Sequence, residues 1–216
     1  MTEQTASVVI PKKIAALVLA AGLSSRMSEF KPLLKFGAKT VLERVVEAFW
    51  HAGVEDVRVV VGHREHDLTP VLERRHIRWI KNERYQEGML SSIKAGVASI
   101  EQDIDGFFVT PVDIPLVRTS TIAAIVDAFR ESGKLICYPN FLGRRGHPPL
   151  ISTQYRDEIL QWDKPGGLKG FLQQKEVEAI DLTVQDERIL LDMDTLEDYQ
   201  RLLEIYKNAE IFPVQD

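Results

Sequence analysis

Short runs of Val, Ile, Leu and Ala without a polar break alternate along this chain with stretches whose apolar residues recur at helical spacing. The runs predict strands buried on both faces, and the stretches between them predict amphipathic helices that cover those faces. Ile14 to Leu19 is the first predicted strand, followed by a long loop from Ala20 to Lys39. Thr40-Val41-Leu42-Glu43 then opens a helix with a Thr-x-x-Glu capping box, which runs to His51 and stops at Gly53. Asp56 to Val61 predicts a second buried strand, Leu68 to Arg75 a helix, Arg78 to Ile80 a short strand and Ser91 to Ile100 a helix. Gly106 to Thr110 is the next strand, broken by Pro111 and Pro115. An amphipathic helix from Thr119 to Glu131 ends at Gly133, and Leu135 to Tyr138 returns to the sheet.

From Pro139 onward Gly and Pro become frequent and the apolar segments shorten, so residues 139–176 are expected to form an insertion or cap. Val177 to Leu182, Ile189 to Asp192 and a helix beginning near Thr195 close the chain. The sequence shows no internal repeat and no low-complexity segment, and the 216 residues are expected to form one domain with a flexible lead-in at 1–13. The βαβα alternation predicts an α/β fold around a mostly parallel sheet.

Composition narrows the function classes. A net charge of −5 gives no general basic surface for nucleic acid or anionic membrane, so any bound anion must meet a local basic cluster. The N-terminal residues lack the apolar core of a signal peptide, and the longest apolar run, Ile14 to Ala21, is too short to span a bilayer. A cytoplasmic location is expected. Cys137 is the single cysteine and sits in the apolar run Leu135-Ile136-Cys137-Tyr138, so it reads as a buried thiol in a reducing compartment.

The candidate chemistry lies at strand ends. The loop Leu19-Ala20-Ala21-Gly22-Leu23-Ser24-Ser25-Arg26-Met27-Ser28-Glu29-Phe30-Lys31 leaves the carboxyl end of the first strand, where open α/β sheets bind ligands. Small residues let backbone amides approach an anion, and Arg26 and Lys31 suit a polyphosphate. It is neither a Walker A loop nor a Gly-x-Gly-x-x-Gly turn. Asp113, between Pro111 and Pro115, is placed to hold a divalent cation or to close a turn. Asp192 and Asp194 form a second acidic pair that would face opposite ways on a strand. Asp194 doubles as a helix N-cap candidate, which makes Asp192 the favoured functional residue of the two. Gly88-Met89 with Ser91-Ser92 starts a helix with hydroxyls that can cap it or touch a ligand. Gly143-Arg144-Arg145-Gly146-His147-Pro148 presents two guanidiniums and an imidazole, which suit an anionic second substrate. His63, His66 and Asp67 lack the further partners of a zinc site.

Taken together, in order along about Lys13 to Leu203, these motifs resemble the MobA-like nucleotidyltransferases, and among them the molybdenum cofactor cytidylyltransferases. The resemblance implies a Rossmann-like, three-layer fold of the nucleotide-diphospho-sugar transferase type. It implies that NTP binds with Mg²⁺ at the carboxyl end of the sheet and that CMP passes from CTP to molybdopterin or molybdenum cofactor. Leu19, Ala20, Ala21, Gly22, Ser24, Arg26, Lys31, Gly88, Met89, Ser91 and Ser92 would bind the nucleotide. Lys31, Arg26 and Asp113 would be catalytic, with Asp113 and Asp192 or Asp194 on the metal. Arg144, Arg145, His147 and Lys169 would meet the acceptor. Ala20-Ala21-Gly22 is the first-motif form that goes with cytidylyl transfer, and a molybdenum hydroxylase or its maturation chaperone is the further partner implied. A different NTP, another phosphorylated acceptor, or a non-catalytic cofactor chaperone of the same fold are the alternative readings. The chain departs from the family pattern at Ser28, where Gly is usual, at Gly167-Leu168-Lys169 in place of Gly-Ala-Arg, and at Leu196 in place of Pro.

Overall fold

The computed structural model describes residues 13–22, 27 and 29–211. Residues 1–12 of the lead-in predicted at 1–13, and the candidates Ser24 and Arg26, lie outside the described residues.

The sheet is built around β1, Ile14–Leu19, whose six residues are all buried. β1 pairs in parallel with β4, Asp56–Val61, on one side and with β6, Gly106–Pro111, on the other. Between β1 and β4 lie the short antiparallel pair β2, Lys35–Phe36, and β3, Lys39–Thr40, and then helix α1, Val41–His51. Thr40 Oγ1 accepts the Glu43 N–H at 3.2 Å and the Glu43 carboxylate accepts the Thr40 N–H at 2.9 Å, so the expected capping box is present.

Helix α2, Glu65–Arg74, leads to the exposed edge strand β5, Arg78–Lys81, and helix α3, Met89–Ala98, precedes β6. Helix α4, Thr119–Ser132, ends where Gly133 takes φ +66°, a left-handed residue that stops a helix cheaply. β7, Ile136–Phe141, then runs parallel to β6 and turns back through β8, Arg144–Arg145.

The stretch read as an insertion or cap is woven into the sheet instead. β9, Leu150–Ser152, sits between β6 and β7 and is antiparallel to both. Its three residues are too few to show a period in the sequence, and Pro148 and Pro149 hide it further. Helices α5, Arg156–Gln161, and α6, Gly167–Gln173, follow, then the edge strand β10, Ala179–Thr183, and helix α7, Leu196–Ile211. The sheet order is β10-β7-β9-β6-β1-β4-β5, with β8 hydrogen-bonded to β7.

Alternate residues of the central strands feed two cores. Val18, Val59 and Phe108 pack with Leu42, Phe49 and Ile125 on one face, while Leu17, Val60 and Phe107 pack with Ile93, Val97 and Phe171 on the other. The result is the three-layer α/β architecture expected from the alternation. Cys137 is buried as expected, and burial pushes its thiol up to about 12. Among the described residues no helix is long and apolar enough to cross a membrane.

Candidate active site

Chain order reverses at β1, because the chain moves outward through β4 and β5 and then returns to pair β6 with the opposite edge of β1. A crevice opens at such a switch point beyond the carboxyl ends of the strands. The strand ends are tied there: Ala20 N–H donates to Val60 O at 2.8 Å, Val112 N–H to Leu19 O at 3.1 Å, and His63 N–H to Ala21 O at 3.3 Å. These bonds hold three loops around a cavity of about 320 Å³.

The expected residues Leu19, Ala20, Ala21, Gly22, Lys31, Gly88, Met89, Ser92 and Asp113 all line this cavity, and Tyr85, Gln86 and Val112 join them. Tyr85 and Gln86 belong to a single 3₁₀ turn, Tyr85–Glu87, whose sequence carries no periodic signal. That turn closes on Gly62, where an added Cβ would meet the Tyr85 Cβ at 2.6 Å and the Ala21 Cβ at 2.9 Å. Ser91 does not border the cavity; its hydroxyl bonds to the Gly88 and Arg84 carbonyls, both at 2.8 Å.

Part of the cavity lining is charged. Lys31 starts a 3₁₀ turn whose next residue is Pro32, and its side chain is buried. Its Nζ lies 3.3 Å from Asp113 Oδ2 and 2.9 Å from Asp194 Oδ1. Burial pushes the Asp113 carboxyl above the ordinary carboxylate value, Lys31 opposes that push, and the Asp194 carboxylate adds to it.

Here the structure corrects two expectations. Residues 192–194 do not continue a strand, because Ile189 belongs to the 3₁₀ turn Glu187–Leu190 and the following backbone is irregular, with Met193 N–H donating to Asp113 O at 2.9 Å. Nor does Asp194 cap α7. Thr195 Oγ1 accepts the Asp198 N–H at 3.1 Å and the Asp198 carboxylate accepts the Thr195 N–H at 2.9 Å. With the cap supplied by Thr195 and Asp198, Asp194 is the residue of the pair that meets Lys31. Asp192, favoured from the sequence, instead exerts its charge on His147.

The acceptor candidates fare unevenly. The β7–β8 turn leaves the same edge of the sheet as the β1 and β6 loops, since these three strands run parallel. Arg145, however, is held by Glu176 and Asp181, with Nη1 2.9 Å from Glu176 Oε2, and it stacks over Tyr138 at 4.2 Å. Its charge is neutralised within the chain, so the expectation that it meets an anionic acceptor is not supported. Arg144 and Lys169 are exposed and make no ion pair among the described residues. His147 does not border the cavity. Its Nδ1 is buried without a hydrogen-bond partner, and burial lowers its pKa against the pull of Asp113 and Asp192. Gly146 is required beside it, because an added Cβ would meet the Ile189 carbonyl oxygen at 2.4 Å.

Among the described residues no three His, Cys, Asp or Glu side chains form a ready metal cage. The paired oxygens of Asp113 and Asp194 already accept one cation, the Lys31 ammonium. Asp113 lines the cavity, Asp194 reaches the same ammonium, and two such carboxylates form the donor set of a hard divalent ion, which completes its shell with water and substrate phosphate. The residues therefore fit such an ion.

The model of the MobA-like NTP transferase domain matches residues 16–179. The chain belongs to that family. It is a nucleotidyltransferase by class. It is 27% identical to the molybdenum cofactor cytidylyltransferase of Escherichia coli over 194 residues, covering 89% of this chain and 97% of that protein. It is 31% identical to a probable molybdenum cofactor guanylyltransferase of Methanosarcina acetivorans, covering 71% and 68%. It is also 28% identical to the nicotine blue oxidoreductase of Paenarthrobacter nicotinovorans, covering 88% and 96%. Among solved structures, Rv0371c of Mycobacterium tuberculosis in complex with manganese has the same fold, with a TM-score of 0.74 and 23% identity over 90% of this chain and all of that one.

Proposed function

We propose that the protein transfers CMP from CTP to the terminal phosphate of molybdopterin, or of its molybdenum-bearing form, and releases pyrophosphate. The observation that carries this reading is Lys31, buried between Asp113 and Asp194, in the lining of a cavity that also holds Ala20-Ala21-Gly22 and Gly88. An acceptor phosphate monoester has a second pKa of about 6, so its oxygen is already anionic at neutral pH and needs no base. That oxygen forms a bond to the α-phosphorus, the bond from the α-phosphorus to its bridging oxygen breaks, and the electron pair leaves on pyrophosphate.

The protein's task is to bring anions together and to meet the charge that builds on the leaving group. Lys31 is buried and held, so it loses little entropy when it turns from carboxylate to phosphate. Asp113 and Asp194 would then hold a divalent cation, Mg²⁺ being the expected one, and that cation would neutralise phosphate charge in the transition state. Manganese in the Rv0371c structure supports a divalent ion in this fold. The choice of CTP rests on Ala20-Ala21-Gly22 and on the cytidylyltransferase relative, while the guanylyltransferase relative makes GTP the base to test against it. Arg144 and Lys169 are the cations proposed for the acceptor side. A molybdenum hydroxylase or its chaperone is the proposed recipient of the product.

The experiment measures pyrophosphate release from CTP, GTP, ATP and UTP, each with Mg²⁺ and molybdopterin, on one preparation. Release with CTP alone is expected, and preference for GTP would overturn the base assignment. Silence with all four would overturn the acceptor. Because one relative is named a nicotine blue oxidoreductase, turnover of nicotine blue by the same preparation is the control.

A further inference from the structure

Asn82 follows the last residue of β5, is 4% exposed, and lies behind the cavity wall. Its N–H donates to Val61 O at 2.8 Å, which fixes its backbone to the end of β4. Its Nδ2 donates both protons, to Ser91 Oγ at 2.8 Å and to Ser92 Oγ at 3.0 Å, and its Oδ1 accepts the Arg84 N–H at 3.0 Å. The Arg84 donor decides which end of the amide is oxygen, so every polar atom of the side chain has a partner and one orientation satisfies them all.

A hydroxyl has one proton to give. Ser91 gives its proton within the loop, to the Gly88 or Arg84 carbonyl. Ser92 accepts from Asn82, lines the cavity, and has no acceptor for its own proton among the described residues. Lys31 and Asp113 are the charged residues of the same cavity lining; on the proposed reading they take the phosphates, which leaves the uncharged lining residues Tyr85, Gly88 and Ser92 for the base.

We propose that Asn82 is a positioning residue for nucleotide recognition: by occupying a lone pair of Ser92 Oγ it turns the Ser92 proton into the cavity, where it donates to a carbonyl oxygen or unprotonated ring nitrogen of the nucleobase. The proposal rests on the reading of the cavity as an NTP site. A buried donor aimed in this way favours a base edge with a lone pair and leaves both groups unpaired against an amino group.

The test is Asn82→Asp, which keeps the shape but replaces the donor group by an acceptor. The Ser92 proton then turns back toward the new carboxylate and away from the ligand. Binding is measured by titration with CTP and Mg²⁺ without acceptor, and with GTP in parallel, alongside KM and kcat for the nucleotide the wild type uses. Asn82→Asp is expected to raise Kd and KM about 10-fold or more with kcat within about 3-fold, since Lys31 and Asp113 are untouched. In a Ser92→Ala background the same change is expected to cost less than about 2-fold, because Asn82 acts through Ser92. A purely structural role would instead lower kcat and the thermal midpoint and would add to Ser92→Ala. Nucleotide affinity within about 2-fold of wild type in Asn82→Asp, or equal losses in both backgrounds, overturns the proposal. Should Asn82→Asp not fold, Asn82→Ala in the same two backgrounds decides: a loss of about 10-fold confined to the background that keeps Ser92 supports the proposal, and unchanged affinity or equal losses overturn it. A wild type that binds no NTP overturns the nucleotidyl-transfer reading and this inference with it. A wild type that binds one while the variants bind as tightly overturns the role of Asn82 alone.

Discussion

Replacing Lys31 by Met is expected to tighten divalent-cation binding to the nucleotide-free protein while it slows turnover. The ammonium lies 3.3 Å from Asp113 and 2.9 Å from Asp194, the two carboxylates proposed to hold the metal. At an effective dielectric constant of about 20, each contact is worth about 5 kcal/mol before desolvation. The Asp194 side chain is 36% exposed, so water screens its share, and Lys31 loses its own hydration when buried. A net value of about 2 kcal/mol remains, which an incoming cation must overcome and which corresponds to about 30-fold in affinity. Methionine keeps the length and apolar stem of lysine without the charge. The same substitution removes the cation proposed to meet the departing pyrophosphate, with an expected loss of about 100-fold or more in kcat.

The assay is titration of Mn²⁺ followed by electron paramagnetic resonance, without nucleotide, at pH 8. An alkaline pH is chosen because burial pushes the Asp113 carboxyl up and loss of Lys31 removes a group that opposes that push. Tighter Mn²⁺ binding with slower pyrophosphate release is the expected pair of results. Unchanged or weaker Mn²⁺ binding in Lys31→Met would refute the claim that the ammonium and the metal compete for one pair of carboxylates.

Three further outcomes are expected. Asp194→Asn should lower turnover by about 10-fold or more and Asp192→Asn by less, because Asp194 meets Lys31; equal losses in kcat would remove the distinction. Gly62→Ala should raise the nucleotide KM by about 10-fold and also lower the thermal midpoint, since the new methyl overpacks against the Tyr85 and Ala21 Cβ atoms, and both of those residues line the cavity. An unchanged KM would show that the wall yields elsewhere. Glu101, bonded to Arg78 and then to the fully buried Arg58, has its carboxyl held down to about 2 from an ordinary value of 4.5. A depressed folded-state pKa contributes stability above about pH 4.5 that is lost as pH falls toward 2, so the thermal midpoints of wild type and Glu101→Gln should converge across that window. Glu101 is half-exposed, so added salt should shrink the difference; a gap that persists at pH 2 contradicts the assignment.

Much of the fold was legible because the buried strands and the cap of α1 are local signals. Ile14–Leu19 and Asp56–Val61 carry the run of apolar residues that burial on both faces demands, and Thr40 with Glu43 marks its helix start within four residues. Helix α3 begins two residues before its expected start because Gly88, at φ +96°, turns the chain directly into it. β9 was hidden, since three residues carry no period and its place in the sheet depends on partners distant in sequence. Asn82 carried no readable sign, because the strand before it, Arg78–Lys81, is charged at both ends and exposed, whereas Asp113 follows an apolar strand. Arg145 misled for the opposite reason: a cation in a Gly-rich loop looks available for ligand until Glu176 and Asp181 are seen beside it.

Alone, the sequence determined the α/β class, the order of the main strands along the chain and most of the loop residues that line the cavity, because burial, capping and glycine turns act between neighbours in the chain. Which residues of those loops meet was decided by tertiary structure. Lys31 and Asp194 are 163 positions apart, and their contact depends on β1 pairing with β6, on Asp113 O taking the Met193 N–H, and on Thr195 capping α7 in place of Asp194. Charge is felt through space, so the choice between Asp192 and Asp194 was made where the segments pack together and could not be read from their spacing along the chain.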